Sequence, residues 1–175
     1  MEGYIPSKEE FSNVMDARFT PEVYERLKAG RVGIAGLGGL GSHVAVMLAR
    51  SGVEHLHLVD FDKVDLSNLN RQEYRIGHLG RYKTEALREQ LLEINPYLDI
   101  TLDCQLVTED NAAELFKDDD IICEAFDKAE NKAMLAEALL SAWPGKKLVS
   151  GSGMAGFESS NDIKTRRIMK NWYMC

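Results

Sequence analysis

A glycine-rich run in the first third of the chain has the composition of a phosphate-binding loop. Gly36, Gly38 and Gly41 give the spacing GxGxxG, with an additional glycine at position 39. Glycine permits a tight turn and a close backbone approach, and the free amides of a following helix attract phosphate. Asp60 follows at the distance of about 20 residues where a carboxylate can accept hydrogen bonds from ribose hydroxyls. These residues predict a nucleotide site, and the alternative is that the glycines serve only strand-to-helix packing.

The polar segment after Asp60 adds groups that suit a triphosphate. The chain reads DFDKVDLSNLNRQ from Asp60 to Gln72, which includes Asn68 and Arg71, and Lys83 follows. Arginine offers a planar fork of donors to phosphate oxygens, and lysine offers a compact positive charge. The glycine spacing alone is typical of NAD and FAD enzymes, but a nicotinamide enzyme does not need these cations. The segment therefore favours ATP over NAD.

Together, the glycine run, the DFDKVDLSNLNRQ run, Lys83 and Asp127 resemble the ubiquitin-activating enzyme superfamily, in particular its short ThiF-type adenylyltransferases. The resemblance extends from about Arg18 to Asp127. It implies that the C-terminal Gly-Gly carboxylate of a ubiquitin-like sulfur carrier protein, that of the thiamine pathway, attacks the α-phosphorus of ATP. Pyrophosphate leaves and an acyl-adenylate remains. The alternatives are an NAD-dependent oxidoreductase and a non-catalytic nucleotide-binding scaffold of the same fold.

The resemblance also implies a role for each matching position. Asp127 is expected to hold magnesium, although Lys128 follows it where the family often has asparagine. Arg18 is expected to reach the γ-phosphate of ATP in the other subunit, which predicts a homodimer. The residues expected to act in catalysis are Arg71, Lys83, Asp127 and Arg18. Those expected to bind the nucleotide are Gly36, Gly38, Gly39, Gly41, Asp60, Asp62, Asn68 and Gln72.

A less specific interpretation exists for each charged residue. Arg71, Lys83 and Arg18 could be ordinary surface charges, because single arginines and lysines usually are. Asp127 could be an ordinary N-cap of the helix that follows it. Cys175 could take up the activated carrier in a later step, since a thiol can serve as a nucleophile, but no matching motif surrounds it.

The elements that must position these residues are short apolar strands alternating with longer helical patterns, which indicates a parallel sheet covered by helices. We expect a Rossmann-like, doubly wound, mainly parallel α/β fold in one domain over residues 1–175, with two helices within residues 1–30. The expected strands are Arg31–Ala35, His55–Asp60, Leu98–Leu106, Asp120–Glu124, Lys147–Ser150 and a late Asp162–Met169, for which both a parallel and an antiparallel direction are open. The expected helices include Leu40–Ser51, Arg81–Asn95 and Ala129–Ala142, and GSGMAG after Ser150 is expected to be a loop.

The composition of the chain argues against some classes of partner and indicates a cellular compartment. The chain of 175 residues has a net charge of −7, which argues against nucleic acid and anionic membranes as partners. Its start lacks a basic region followed by an apolar one, so we expect a cytoplasmic protein. The three cysteines form no CxxC pair, so no zinc is expected, and Cys104 and Cys123 are expected to lie in the core. The end at KNWYMC suggests a missing C-terminal segment.

Overall fold

The computed structural model describes residues 4–152, 159 and 163–175. The strands of this part of the chain are β1 (Arg31–Ala35), β2 (His55–Val59), β3 (Asp99–Asp103), β4 (Ile121–Glu124), β5 (Lys147–Ser150), β6 (Arg166–Met169) and β7 (Trp172–Met174). They form one sheet in the order β3-β2-β1-β4-β5-β7-β6. Neighbouring strands are parallel except β6 and β7, which are antiparallel. The expected doubly wound, mainly parallel sheet is confirmed.

Six α-helices accompany the strands within the described residues: α1 (Lys8–Asp16), α2 (Pro21–Ala29), α3 (Gly41–Arg50), α4 (Lys83–Ile94), α5 (Glu109–Leu115) and α6 (Ala129–Ala142). The two expected N-terminal helices are present. The first begins with a capping box, in which the Glu10 amide donates to Ser7 Oγ and the Ser7 amide donates to Glu10 Oε2. None of the helices in the described part of the chain has the length and apolarity needed to cross a membrane.

The helices cover the sheet on both faces. Helices α3 and α4 pack on one face in a core that includes Val32, Ile34, Ala45, Leu56, Leu58, Leu87 and Leu91. Helices α5 and α6 pack on the other face in a core that includes Ala35, Val59, Phe116, Ile122, Leu135, Leu139 and Leu148. Successive strand residues point to opposite faces, so Ile34 and Ala35 belong to different cores. This explains why the central strands read as continuous apolar runs.

Several elements differ from the sequence-based expectation. Strand β3 ends at Asp103 rather than at Leu106, and Cys104 is exposed rather than part of the core. Helix α5 was not predicted, because seven residues are too few to show a helical period. Strand β6 begins at Arg166, and the expected start at Asp162 and residues 153–156 of the expected GSGMAG loop lie outside the described residues.

The late strand is half of a hairpin. Strand β7 follows β6 in the chain but lies between β6 and β5 in the sheet. Trp172 Nε1 donates to Ser150 Oγ over 3.0 Å, which ties β7 to the end of β5. The sequence pattern showed only one strand here, because β7 contributes three residues.

The two edges of the parallel sheet carry different parts of the chain. Strands β1, β2, β4 and β5 end at one edge, where the glycine run and the segments after Val59 and Glu124 emerge. Helices α1 and α2 pack at the opposite edge, where a Cβ on Gly52 would lie 2.8 Å from Met15 Cε. Tyr97 Oη, just before β3, donates to Pro6 O there. The nucleotide site is therefore expected at the carboxyl edge, as in open α/β sheets generally.

A buried histidine lies between two carboxylates on the α5 side of the sheet. His57 Nδ1 is 2.8 Å from Asp119 Oδ2, and Nε2 is 2.9 Å from Asp103 Oδ2. Both ring nitrogens face acceptors, which suits an imidazolium that donates twice. Burial lowers the pKa of His57, but the hydrogen bonds and charges of Asp119 and Asp103 outweigh burial and raise it above its ordinary value. Gly33 leaves space for the contact between His57 and Asp119, since a Cβ on Gly33 would lie 2.6 Å from Asp119 Oδ2.

We expect His57→Gln to lower the free energy of unfolding by about 3 kcal/mol at pH 6, because it leaves the Asp119 carboxylate buried without its cation. The folded pKa exceeds the unfolded value of about 6.5, so this contribution is complete below that pH and is lost as the pH rises through the folded pKa. The loss should therefore be smaller at pH 9. Urea unfolding at pH 6 and at pH 9 measures the decrease in the free energy of unfolding. Equal decreases at the two pH values would show that His57 contributes only by packing.

Candidate functional site

The glycine run folds into a turn that requires glycine at two of its four positions. Gly36 follows β1 with φ +89°, a left-handed conformation that favours glycine. Gly41 opens α3, and a Cβ there would lie 1.8 Å from the carbonyl oxygen of Gly36. Gly38 and Gly39 have more space, with nearest atoms at 3.9 and 3.5 Å from a Cβ. Gly36 and Gly41 therefore make the turn possible. Gly38 and Gly39 leave the backbone of the turn uncovered.

The open backbone lies at the amino end of α3. In the part of the chain that the structure describes, the amides of Gly38, Gly39 and Leu40 donate to no backbone carbonyl. Helix amino ends leave such amides free, and together with the helix dipole they form an anion-binding site. Phosphate binding at these free amides stays a prediction.

Asp60 faces the glycine run from the end of β2. Its Oδ2 accepts from the Leu37 amide and its Oδ1 from the Asp62 amide, both over 2.7 Å. Burial raises the pKa of Asp60, while these amides and the nearby charge of Lys83 oppose the shift. A carboxylate has about four acceptor positions, so two remain for ribose hydroxyls.

Lys83 is buried beside Asp60, so the surface alternative for this residue is wrong. It is 5% exposed and begins α4, where its amide donates to Asp62 O. Its Nζ donates to Asp62 Oδ2 over 2.8 Å and lies 4.0 Å from Asp60 Oδ2. Asp62, expected to bind the nucleotide, is thus seen to hold Lys83 in place. The two carboxylates offset the cost of burying the ammonium group.

Arg71 lies next to the open part of the glycine run. Its side chain is exposed, and Nη1 donates to Ser67 O and Asn70 Oδ1 over 2.9 and 3.0 Å. A Cβ on Gly39 would lie 3.7 Å from Arg71 Cγ. The guanidinium group has five donors, so three or more remain for phosphate oxygens.

Asn68 and Gln72 belong to the same loop but differ in their contacts. Asn68 Oδ1 accepts from the Asp65 amide over 2.9 Å, so this side chain closes the 3₁₀ turn Leu66–Asn68. Gln72 is buried near Gly38, and its Oε1 has no hydrogen-bond partner within the described residues. A buried acceptor without a partner is costly, and Gln72 is therefore the better placed of the two to meet a ligand.

Two residues that sequence reasoning missed attach this loop to the glycine run. Ser42 Oγ donates to Gly38 O over 2.7 Å and accepts from the Glu73 amide over 3.3 Å. Tyr74 Oη donates to Leu37 O over 2.8 Å, and burial raises the pKa of this phenol. Serine and tyrosine are common residues and belong to no recognised spacing here, so no sequence signal indicated this role.

Asp127 lies in the loop between β4 and α6, which packs on the glycine turn. The Ala125 amide donates to Ala35 O over 2.9 Å, and a Cβ on Gly36 would lie 3.0 Å from Phe126 Cδ1. Asp127 is exposed, and its carboxylate makes no hydrogen bond or ion pair to the residues described. The N-cap position of α6 is Lys128, so the N-cap alternative for Asp127 is wrong.

The side chains at this site can be compared with the ligands that magnesium requires. No group of three or more His, Cys, Asp or Glu side chains in the described ranges could hold a metal ion alone. Magnesium bound with a nucleotide takes most ligands from phosphates and water and needs one or two carboxylates. An exposed carboxylate beside the glycine run, as Asp127 provides, fits that requirement.

Arg18 is not brought to this site by its own chain. It lies exposed in the turn between α1 and α2, which pack at the amino edge of the sheet. The other expected site residues lie at or near the carboxyl edge. The role expected of Arg18 at the nucleotide of a second subunit stays a prediction.

Comparison with known proteins places this geometry in a family. The ThiF family model matches residues 11–163. The adenylyltransferase and sulfurtransferase MOCS3 of Drosophila grimshawi is 38% identical over 130 residues, which cover 74% of this chain and 28% of that protein. The tRNA threonylcarbamoyladenosine dehydratase of Haemophilus influenzae is 34% identical over 119 residues, which cover 67% and 46%. The chain thus spans less than half the length of these curated relatives.

Solved structures agree with the sequence comparison. The E. coli tRNA N6-threonylcarbamoyladenosine dehydratase TcdA, in complex with ATP, has a TM-score of 0.83 and 25% identity to this chain. The likeness covers 95% of this chain and 70% of that one. Since the family model spans well over half of the residues, the chain belongs to the ThiF family.

Proposed function

We propose that the chain catalyses ATP-dependent adenylation of the C-terminal Gly-Gly carboxylate of a ubiquitin-like sulfur carrier protein, that of the thiamine pathway, with release of pyrophosphate. The observation that carries this proposal is Lys83, a buried ammonium group held within 4.0 Å of Asp60 at the end of β2. A nicotinamide site has no use for this cation. The name of MOCS3 and the ATP bound by TcdA add support.

The chemistry follows from the placement of charges. A carrier carboxylate oxygen forms a bond to the α-phosphorus, the bond from that phosphorus to the bridging oxygen breaks, and pyrophosphate leaves with the electron pair. Arg71 and Lys83 offset the negative charge that grows on the leaving group. Asp60 and Gln72 orient the nucleotide, so that catalysis is positional and electrostatic and needs no protein nucleophile. Asn68 supports the loop that carries Arg71.

Magnesium would be held by Asp127 together with the phosphates. When bound, the ion neutralises phosphate charge and orients the leaving group. Asp127 contributes the carboxylate. The packing of Phe126 on the glycine turn fixes the backbone of the loop that carries Asp127. Zinc has no place in this proposal, since the chemistry uses hard oxygen ligands.

The active unit in this proposal is a homodimer. Arg18 lies at the edge of the sheet opposite its own site, so a second subunit must supply the arginine that meets the γ-phosphate. Closed two-fold dimers are the commonest way for two copies to exchange such a residue.

A second candidate comes from the likeness to TcdA, whose name gives threonylcarbamoyladenosine in tRNA as what it acts on. The likeness covers 95% of this chain, and it favours a nucleotide-activating site that serves a modified tRNA. The net charge of −7 opposes this candidate, because a polyanion is bound mainly through lysine and arginine. The carrier protein remains the favoured substrate.

We expect ATP with magnesium to bind much more tightly than NAD. Arg71→Ala should weaken ATP binding by about 10- to 100-fold, the loss of one or two charge-assisted hydrogen bonds, while AMP binding is spared. Calorimetry with ATP, AMP and NAD measures this. Arg75→Ala is the matched control, since Arg75 lies in the same loop as Arg71 but its Nη1 is 3.1 Å from Glu93 Oε2 on α4. NAD binding as tight as ATP binding would contradict the proposal.

We expect labelled pyrophosphate to exchange into ATP only when a carrier ending in Gly-Gly is present, because exchange requires the bound acyl-adenylate to form, release pyrophosphate and react with labelled pyrophosphate to give ATP again. Removal of the last glycine should abolish exchange, since the carboxylate then fails to reach the α-phosphorus. Asp127→Asn should reduce exchange by orders of magnitude, about 100-fold or more, by removing the charge that holds magnesium. Asp118→Asn, an exposed acid away from the site, serves as the control.

The same assay separates the two candidate substrates. Exchange that requires tRNA containing threonylcarbamoyladenosine, and ignores the carrier, would replace the favoured proposal with the second one. Exchange without any acyl acceptor would contradict both.

We expect an inactive Arg18→Ala protein mixed with an inactive Asp127→Ala protein to regain about a quarter of the wild-type activity. Half of the randomly mixed dimers contain one subunit of each kind, and one of their two sites is intact. Activity measured after subunit exchange tests this, with ultracentrifugation at the same concentration. Full activity of a monomer would contradict the role of Arg18.

A further inference from the structure

An ion pair between a buried glutamate and a partly buried lysine lies behind the loop that carries Asp127. Glu124, at the end of β4, is 1% exposed, and its Oε1 and Oε2 lie 3.1 and 3.2 Å from Lys132 Nζ. Lys132 lies on α6 and also donates to Gly151 O over 2.9 Å. The pair therefore connects the end of one strand, the following helix and the segment after β5.

Each partner of this pair contacts a segment that borders the glycine run. The Phe126 amide donates to Glu124 Oε1 over 2.7 Å, one residue before Asp127. Gly151 lies against the glycine run, since a Cβ there would be 2.4 Å from Leu40 Cδ2. Displacement of the ion pair thus moves both the loop of Asp127 and the segment that borders the glycine run.

Stability alone is a weak reason for such a pair. Replacing a buried ion pair by apolar groups is often neutral or stabilising, because desolvation offsets the attraction between the charges. The neighbouring core of α6, which includes Leu135 and Leu139, shows that apolar packing is available at this place. A geometric role explains why the two charges lie beside the site.

We propose that Glu124 and Lys132 are positioning residues that fix the Asp127 loop and Gly151 around the nucleotide. The inference rests on the proposed adenylation. Lys132 acts on Asp127 through Glu124 and the Phe126 amide. Neither member of the pair needs to contact ATP, and both are separate from Arg71 and Lys83, which lie on the other side of the glycine run.

The test compares three variants in carrier-dependent pyrophosphate exchange. Lys132→Met should lower kcat by about 10- to 100-fold, the cost of a displacement near 1 Å, with little change in the KM for ATP. It should also raise the magnesium concentration needed for half-maximal exchange. Lys132→Arg keeps the charge and the donors and should restore most of the rate.

The double variant Glu124→Gln with Lys132→Met separates positioning from stability. It removes both charges, so its midpoint of urea unfolding should recover relative to Lys132→Met. Its exchange rate should remain low, because the link to Asp127 and Gly151 is still broken. Recovery of exchange together with stability would overturn the proposal and leave the pair a structural role only.

Amide hydrogen exchange gives a readout that does not depend on catalysis. In Lys132→Met and in the double variant, residues 125–128 should lose protection, while the amides within α3 keep theirs. Unchanged protection of residues 125–128 would overturn the proposal. If the wild-type protein shows no carrier-dependent exchange, the proposed function fails, and the hydrogen-exchange result still decides whether this pair positions the loop.

Discussion

The close approach of Gly41 to the carbonyl group of Gly36 is the constraint on which the rest of the site depends. Any side chain at Gly41 would overlap that oxygen, so the turn between β1 and α3 exists only with a bare backbone there. This turn directs the amino end of α3 toward the carboxyl edge of the sheet. The Leu37 amide then reaches Asp60, and Phe126 packs against the turn from the other side. Two separate loops, after β2 and after β4, thus pack on the same turn.

The buried charged groups of the site lie close to groups of opposite charge. Lys83 is buried with two carboxylates, and Glu124 is buried with Lys132. Each buried charge lies within reach of an opposite one, which limits the desolvation cost. Arg71 and Asp127, by contrast, are exposed. Lys83 and Glu124 are therefore compensated within the protein, whereas Arg71 and Asp127 are open to solvent.

The sequence predicted the parts of this arrangement that depend on neighbours in the chain. The glycine run and Asp60 were identified because their spacing along βαβ is fixed by the fold, and the alternation of strands and helices gave the sheet. Ser42, Tyr74 and the pair of Glu124 with Lys132 were missed, because their contacts depend on three-dimensional packing between residues of ordinary type. The burial of Lys83 likewise depends on the packing of α4 against the end of β2, which the sequence pattern does not show.

The position of β7 between β5 and β6 has a consequence for the order in which the chain folds. Within the described residues β6 pairs only with β7, so it joins the sheet only through that strand. The antiparallel pair is local in sequence and can form in microseconds, about 1–10 μs for a hairpin, whereas pairing of β7 with β5 closes a long loop. The hairpin thus docks as a unit. Trp172, whose indole reaches Ser150 only after docking, is a natural fluorescent reporter of that late step.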